Sequence, residues 1–367
     1  MMDERIELFV PFPIENKEID YSYLESVFRH RPRYASKGRY AIIHILHSYG
    51  IKDGLIGVSA YTCPTVSSAL IENGFTPIYY DIDLVDLNPD IGDISKILEN
   101  NEVRAVVVNS IYGNPANLSE IENLCNTKNT IMIDDAAQSF GAMLDDRYVG
   151  SFGNGGFFSF SPGKPTAAHL GAFYWTNSSN YDHPKTKHPL YNWISWNYFY
   201  VNRLNAYKSN KLIKKLLQFC YILTSRTDIK NDVIDKRATS IYGGVIHSNS
   251  SNALKYRRMW YEQFIDITNN YDSFRMLKPI RGTSNPSKIV FLFNNADNAS
   301  QFALYLKEKS VAFYAGYKVS MGDRKLRNAE IITGKIVELP IDPNNGKMEH
   351  LKALTLEYFD KRAKEAQ

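Results

Sequence analysis

The chain has 367 residues, a net charge of +4 at pH 7, 22% charged residues and 44% hydrophobic residues. This composition predicts a folded chain with one large core and a second, smaller one. It lacks the concentrated positive charge of nucleic-acid-binding proteins. Cys63, Cys125 and Cys220 have neither metal-site spacing nor a disulfide framework, which indicates a cytoplasmic protein without a metal. The N-terminus does not resemble a signal peptide, and no apolar run of about 20 residues predicts a membrane span.

Short apolar segments alternate with helix-like segments between about residues 37 and 175. The predicted strands are 55–58, 76–81, 104–109 and 130–135, and the predicted helices are 40–49, 65–73 and 118–125. Strands that are apolar along their whole length are typical of a parallel sheet covered on both faces. The pattern therefore predicts an α/β domain with right-handed crossovers.

The composition changes after residue 176. An aromatic cluster at 191–200 is followed by a basic amphipathic stretch at 208–221. This stretch fits either a helix packed on its own protein or a helix on an anionic membrane surface. Further on, a helix from Ala253, a strand at 288–293 and a helix at 299–309 predict an α+β C-terminal domain.

One predicted strand ends in two carboxylates, Asp134 and Asp135. Ligands of open α/β sheets bind at the carboxyl ends of strands. A carboxylate there can pair with a protonated ring nitrogen, as in sites for pyridoxal phosphate. The simpler alternative is that these acids end the strand or cap the next helix. Because neighbouring strand residues point to opposite faces, only one of the two can reach a crevice.

A lysine follows the next short apolar segment. Lys164 comes after a proline-glycine turn and lies about one strand–loop–strand unit beyond Asp135, so the two can face one crevice. A rigidly held lysine can form a Schiff base when burial or a nearby cation makes its amine available. Ser159 and Ser161 offer hydroxyl groups to a phosphate. Taken alone, a lysine after such a turn is more typical of an exposed side chain.

A third signal is the segment 36–41, which contains Lys37, Gly38 and Arg39 at the start of a predicted helix. A glycine there lets backbone N–H groups approach a phosphate, which the helix dipole also favours. Cations at a helix N-terminus oppose the dipole, which is a small argument for a nearby anion. A basic first turn is otherwise an ordinary surface feature.

Together and in this order, these segments resemble the DegT/DnrJ/StrS family of sugar aminotransferases, within the type I fold of pyridoxal-phosphate enzymes. The resemblance covers about residues 36–175. Segment 135–142 keeps the family's Asp-Ala-Ala-Gln motif, and 159–164 keeps its Ser-Phe-x-x-x-Lys spacing. Further similar segments are 36–41, 58–66, 78–83 and 111–117.

The resemblance implies a mostly parallel, seven-stranded type of sheet with a smaller α+β C-terminal domain, and a homodimer. The large domain is expected at 36–245, with a divergent segment at 177–240. Residues 1–35 and 246–367 are expected to form the small domain.

The resemblance also implies residue roles. Lys164 would hold pyridoxal 5′-phosphate as a Schiff base and move a proton between the substrate Cα and C4′ of the cofactor. Asp135 would bind the pyridine nitrogen. The other implied contacts are Gln138 to the ring hydroxyl, Ser159, Gly38 and Arg39 to the phosphate, and Tyr61 and Cys63 near the ring.

Several positions depart from the family pattern. The loop after the lysine reads Ala-His-Leu-Gly-Ala at 168–172, Cys63 stands where an aromatic ring commonly stacks, and the family's Asn-x-Arg element has no clear counterpart. The leading hypothesis is an aminotransferase with an amino-acid donor such as glutamate and a nucleotide-linked keto-sugar acceptor, in cell-surface polysaccharide or secondary-metabolite biosynthesis. The alternatives are another substrate, or a cofactor-binding protein without catalysis that acts as a partner or regulatory subunit.

Overall fold

The computed structural model of the chain describes residues 17–99, 102–161, 163–166, 171–179, 239–249 and 252–365, with the isolated positions 193, 212, 216, 219 and 234. The predicted basic stretch and aromatic cluster lie outside the described residues, apart from these single positions. Residues 168–170 of the loop after Lys164 also lie outside them.

The larger sheet has seven strands in the order β1-β9-β8-β5-β4-β2-β3. They are β1 Arg33–Ala35, β2 Gly54–Ser59, β3 Phe75–Tyr80, β4 Val103–Asn109, β5 Ile131–Asp135, β8 Gly155–Ser159 and β9 Ala172–Thr176. The pairs joining β3, β2, β4, β5 and β8 are parallel, whereas β9 and β1 are added antiparallel at one side. The predicted mostly parallel sheet is confirmed. A short hairpin, β6 Met143–Leu144 and β7 Arg147–Tyr148, follows β5.

Helices cover both faces of this sheet. They are α1 Tyr21–Phe28, α2 Gly38–Ser48, α3 Pro64–Glu72, α4 Ile91–Leu98 and α5 Leu118–Thr127. Neighbouring residues of β4 lie in different cores: Val106 and Val108 pack in one cluster, Ala105 and Val107 in the other. This alternation explains why the strands are apolar along their whole length.

The smaller sheet has three antiparallel strands, β10 Phe274–Met276, β11 Lys288–Phe293 and β12 Ile336–Pro340. The remaining helices are α6 Thr239–Asn249, α7 Asn252–Thr268, α8 Ala296–Glu308, α9 Arg327–Ile332 and α10 Asn345–Glu365. One face of β11 packs on a phenylalanine-rich core through Ile289, Phe291 and Phe293, and the other faces the larger sheet. The predicted smaller α+β domain is confirmed in its architecture.

Residues 17–35 lie against the larger sheet, whereas the predicted boundaries grouped them with the C-terminal domain. β1 pairs with β9, and the ring of Phe28 stacks on that of Phe158 with 5.2 Å between centroids. Pairing with β1 satisfies the backbone groups of an edge strand, which the sequence pattern does not reveal. The other boundaries stay predictions.

The turn Ile111–Gly113 joins the two sheets. Gly113 has φ +88°, and a Cβ added there would lie 1.8 Å from the carbonyl oxygen of Asn285. The backbone N–H of Asn285 donates to the Gly113 carbonyl at 3.0 Å. The chain before β11 can approach β4 this closely only because residue 113 has no side chain.

Gly113→Ala is therefore expected to lower the free energy of unfolding by about 3 kcal/mol, because the clash adds to the cost of a positive φ. The measurement is the midpoint of urea unfolding. Gly50→Ala is the matched control: Gly50 has φ +72° but nothing within 4 Å of an added Cβ. It should lose only about 1 kcal/mol. Equal losses in the two variants would contradict the close approach.

Candidate active site

The site lies at the carboxyl ends of the parallel strands, where α2 begins. Asp135 ends β5 and is paired in register with Phe157 of β8. A Cβ added to Gly38 would lie 2.9 Å from Cε2 of Phe157 and 3.4 Å from Cβ of Ser159. Gly38, Ser159 and Asp135, which are far apart in sequence, are thus brought to one edge of the sheet.

The N-terminus of α2 has the features of an anion site. Lys37 is the N-cap residue and its side chain makes no capping hydrogen bond to the helix. Lys37 is buried, and its ammonium lies 5.4 Å from the centre of the Tyr40 ring, as does the guanidinium carbon of Arg39. The helix dipole and these two cations all favour a negative group.

The two carboxylates at the end of β5 face different surroundings. Asp134 is fully buried, and its Oδ2 accepts the backbone N–H groups of Gly150 at 2.6 Å and Phe152 at 3.1 Å. Burial raises the pKa of Asp134 to about 8, although these hydrogen bonds oppose the rise. Asp134 thus holds the loop before β8 in place through these two hydrogen bonds, which is a structural role.

Asp135 is 7% exposed and makes none of these contacts with the loop before β8. Its Oδ1 accepts the backbone N–H of Ala137 at 2.9 Å. Burial raises the pKa of Asp135, and the nearby positive charge of Lys164 acts in the opposite direction. The structure thus brings the predicted carboxylate and the predicted lysine within electrostatic reach of one another.

Lys164 is partly buried and lies in a turn held from three sides. Its backbone N–H donates to the carbonyl of Ser161 at 3.3 Å, and the Thr166 hydroxyl donates to the carbonyl of Ser159 at 2.5 Å. The buried Arg257 of α7 donates to the carbonyl of Pro165 at 2.8 Å. These bonds fix the position of the loop that carries the lysine.

Two further predicted residues, Gln138 and Tyr61, meet at Tyr317. The amide Nε2 of Gln138 donates to the Tyr317 hydroxyl at 3.0 Å, and the backbone N–H of Tyr317 donates to the Tyr61 hydroxyl at 3.2 Å. The rings of Tyr61 and Tyr317 are 5.7 Å apart in an edge-to-face arrangement. Tyr317 was not predicted, since it comes from the segment between α8 and α9.

Cys63 is the N-cap residue of α3, and its thiol lies 3.1 Å from the Thr65 hydroxyl. Burial raises the pKa of Tyr317, and charges at Glu338, Cys63 and Asp135 add to the rise. The ring of Tyr317 packs edge-to-face on that of Tyr61, two residues before Cys63.

Sequence reasoning also missed a buried polar chain behind Tyr61. The hydroxyls of Tyr61 and Tyr112 are 2.5 Å apart, and Tyr112 donates to Oε1 of Glu338 at 2.6 Å. Glu338 forms an ion pair with Lys288. The charge of Lys164 lowers the pKa of Lys288, although burial is the larger cause. Lys288 therefore lies within electrostatic reach of Lys164.

A metal-binding cluster and a membrane-spanning helix are both absent from the described part of the chain. No cluster of three or more His, Cys, Asp or Glu residues there could hold a metal ion. None of the helices described is both long and apolar enough to cross a membrane.

Comparison with known proteins agrees with this geometry. Residues 35–184 match the sequence model of the DegT/DnrJ/EryC1/StrS aminotransferase family. Residues 35–184 are thus similar to a domain of this family. The domain includes every predicted site residue, from Gly38 to Lys164.

Individual proteins resemble this chain either in sequence over part of its length or in fold over nearly all of it. GDP-perosamine synthase of Escherichia coli O157:H7 is 30% identical over 143 residues, 39% of either chain, so the match spans less than half of that relative. Two solved structures share the fold over nearly the whole chain. Aminotransferase TlmJ from Streptoalloteichus hindustanus has TM-score 0.72, 17% identity and coverage of 96% of this chain and 98% of its own. E. coli GDP-4-keto-6-deoxy-D-mannose-3-dehydratase with bound hydrated PLP has TM-score 0.65 and 15% identity. This match covers 91% of this chain and 90% of that chain.

Proposed function

We propose that the protein is a pyridoxal-phosphate-dependent aminotransferase that moves an amino group from an amino acid, such as glutamate, to a nucleotide-linked keto-sugar. The observation that carries the proposal is the convergence of Asp135, Lys164 and the N-terminus of α2 at one end of the sheet. The family domain and the similarity to GDP-perosamine synthase support the reaction class and a nucleotide-sugar acceptor. Such a reaction serves cell-surface polysaccharide or secondary-metabolite biosynthesis.

The residues present fit pyridoxal phosphate. The space beside Gly38 is one that a Cβ would fill, so a phosphate could approach the start of α2 beside Ser159. Among the described residues, Asp135 accepts a hydrogen bond only at Oδ1, from Ala137, which leaves Oδ2 for a protonated ring nitrogen. When bound, the cofactor supplies an electron sink for the negative charge that develops at the amino acid Cα.

The chain's own residues would then have separate tasks. The amine of Lys164 would attach the cofactor and move a proton to and from the substrate Cα, near the charge of Asp135. Asp135 would keep the ring nitrogen protonated, Gln138 would contact the ring hydroxyl, and Gly38 and Arg39 would hold the phosphate with Ser159. Tyr61 and Cys63 would lie beside the ring, together with Tyr317.

The substrate class is tested by half-reaction kinetics. The protein, loaded with the amine form of the cofactor, is offered keto-sugar nucleotides and simple 2-oxo acids in separate experiments. We expect keto-sugar nucleotides to restore the aldehyde-form absorbance at least about 10-fold faster than a 2-oxo acid that is not the donor's product, because binding energy from the nucleotide is used in catalysis. Recovery with 2-oxo acids alone would replace this proposal with a general amino-acid transaminase.

The second candidate function is a cofactor-binding protein without catalysis. The observation that favours this candidate is the altered sequence after Lys164, where residues 168–172 depart from the family pattern. In this case the protein would bind the cofactor, but no amino donor would convert it to the amine form. A screen of amino donors by absorbance separates the two candidates.

We also propose that the protein works as a cytoplasmic homodimer. Type I sites are built from two subunits, and the aromatic-rich segment 191–200 is too apolar to leave in water. Trp193 in that segment is 52% exposed in the single chain, which supports a partner on this surface. Cys63 and Cys125 are free thiols, as expected in the reducing cytoplasm. Light scattering is expected to give twice the chain mass of 42.0 kDa. A fully active monomer at assay concentration would overturn the shared site.

A further inference from the structure

A buried ion pair lies on the face of the smaller sheet that packs toward the larger sheet. Lys288 begins β11 and shares a face with Val290 and Leu292, the residues of β11 that pack toward the larger sheet. Glu338 of β12 is opposite Val290 in the register. The side chain of Glu338 is 1% exposed and that of Lys288 is 12% exposed, so the lysine is the member that reaches open space.

Both oxygens of Glu338 are engaged. Oε1 accepts the Tyr112 hydroxyl at 2.6 Å, and Oε2 bonds the Lys288 ammonium. Tyr112 lies in the left-handed region, with φ 57°, on the turn that joins the sheets. A tyrosine in that region is uncommon, and here it directs the phenol toward Glu338. Glu338 is thus fixed from both sheets, and it orients Lys288.

The Lys288 ammonium has N–H groups that its contacts with the described residues do not use. An ammonium carries three N–H groups. Its contacts with the described residues are one carboxylate oxygen and the face of the Tyr314 ring, whose centre is 4.1 Å away. Hydrogen bonds lead from Glu338 through Tyr112, Tyr61 and Tyr317 to Gln138 at the candidate site. Lys288 is therefore connected to this site, and the charge of Lys164 lowers the pKa of Lys288 in addition to burial.

We propose that Lys288, oriented by Glu338, binds a carboxylate of the amino donor. The inference rests on the proposed function, since it assigns part of the substrate to this lysine. In an amino acid the α-carboxylate and the amino group share one carbon, so a cation on the same side of the site as Lys164 can meet the carboxylate. The diphosphate of a sugar nucleotide is separated from its keto group by the sugar ring, which places it farther from Lys164.

The experiment compares two variants that leave no unpaired carboxylate in the interior. Glu338→Gln keeps Lys288 and an acceptor for Tyr112, whereas the double variant Glu338→Gln/Lys288→Met removes only the cation in addition. Each is prepared as holoenzyme in the aldehyde form, which cannot transaminate with a 2-oxo acid. Binding of 2-oxoglutarate and, separately, of UDP is measured by calorimetry. Lys309→Met, from the exposed Lys309–Glu357 pair, is the matched control in the wild-type background.

We expect 2-oxoglutarate to bind the double variant on the order of 10- to 100-fold more weakly than Glu338→Gln, the size expected for one charged hydrogen bond. UDP binding should differ by less than about 2-fold between them, a change close to thermal energy. Equal 2-oxoglutarate affinities, or a loss confined to UDP, would overturn the inference. Attachment of the cofactor to Lys164 is checked first in every variant, so its failure would count against the proposed function and not against this assignment.

Discussion

Replacing Lys164 with methionine is expected to lower turnover by about 10⁴-fold or more, because methionine can neither attach the cofactor nor move a proton. Methionine has a similar volume, and the loop is held by the backbone bonds of Ser159, Ser161 and Pro165, so the fold should remain. The measurement is the rate of amino transfer under saturating donor. The variant should still bind the cofactor, without covalent attachment.

Lys361→Met is the control for this substitution, since Lys361 is 77% exposed and lies on α10. Its turnover should match that of the wild type. Added methylamine should restore part of the activity of Lys164→Met, since a small amine can replace the missing proton carrier. Undiminished turnover in Lys164→Met would contradict the assigned role.

Asp135→Asn is expected to lower turnover by about 10²–10⁴-fold, because an amide cannot keep the ring nitrogen protonated. The effect should appear in kcat, with cofactor binding weakened by a smaller factor. A shift of the cofactor's absorbance with pH, absent in the wild type over the same range, would report the lost proton.

Asp134→Asn provides the matched control on the neighbouring residue. Burial raises the pKa of Asp134 to about 8, so near neutral pH an amide replaces a mostly protonated carboxyl group. The amide oxygen can still accept the N–H groups of Gly150 and Phe152. Turnover should stay within a few-fold of the wild type. If Asp134→Asn is the damaging change and Asp135→Asn is harmless, the assigned register is wrong.

The sequence predicted those parts of the fold that a short, local residue pattern indicates. The predicted strand 104–109 is observed as Val103–Asn109, and the strand predicted at 288–293 is observed as Lys288–Phe293. Both are apolar runs rich in β-branched or aromatic residues. Asp135, Ser159 and Lys164 could be singled out because they lie at or just after the ends of strands, at family-like spacing. In the structure Asp135 and Ser159 lie at the carboxyl ends of the neighbouring strands β5 and β8, and the charge of Lys164 acts to lower the pKa of Asp135.

The parts that sequence could not predict depend on contacts between distant segments. Tyr112 and Glu338 are separated by 226 positions, and no local pattern links a turn after β4 with a strand of the smaller sheet. Tyr317 reaches Gln138 in the same way. The pairing of β1 with β9 was also not predicted, because three residues carry too little periodicity to indicate a strand.

Attachment of the cofactor to Lys164 can be measured by reducing the Schiff base and locating the modified residue. The purified protein is loaded with pyridoxal phosphate, reduced with borohydride, digested and analysed by mass spectrometry. We predict a pyridoxyl adduct on Lys164, with Lys164→Met as the control that loses it. An adduct on a different lysine, with Lys164 unmodified, would show that Lys164 does not carry the cofactor.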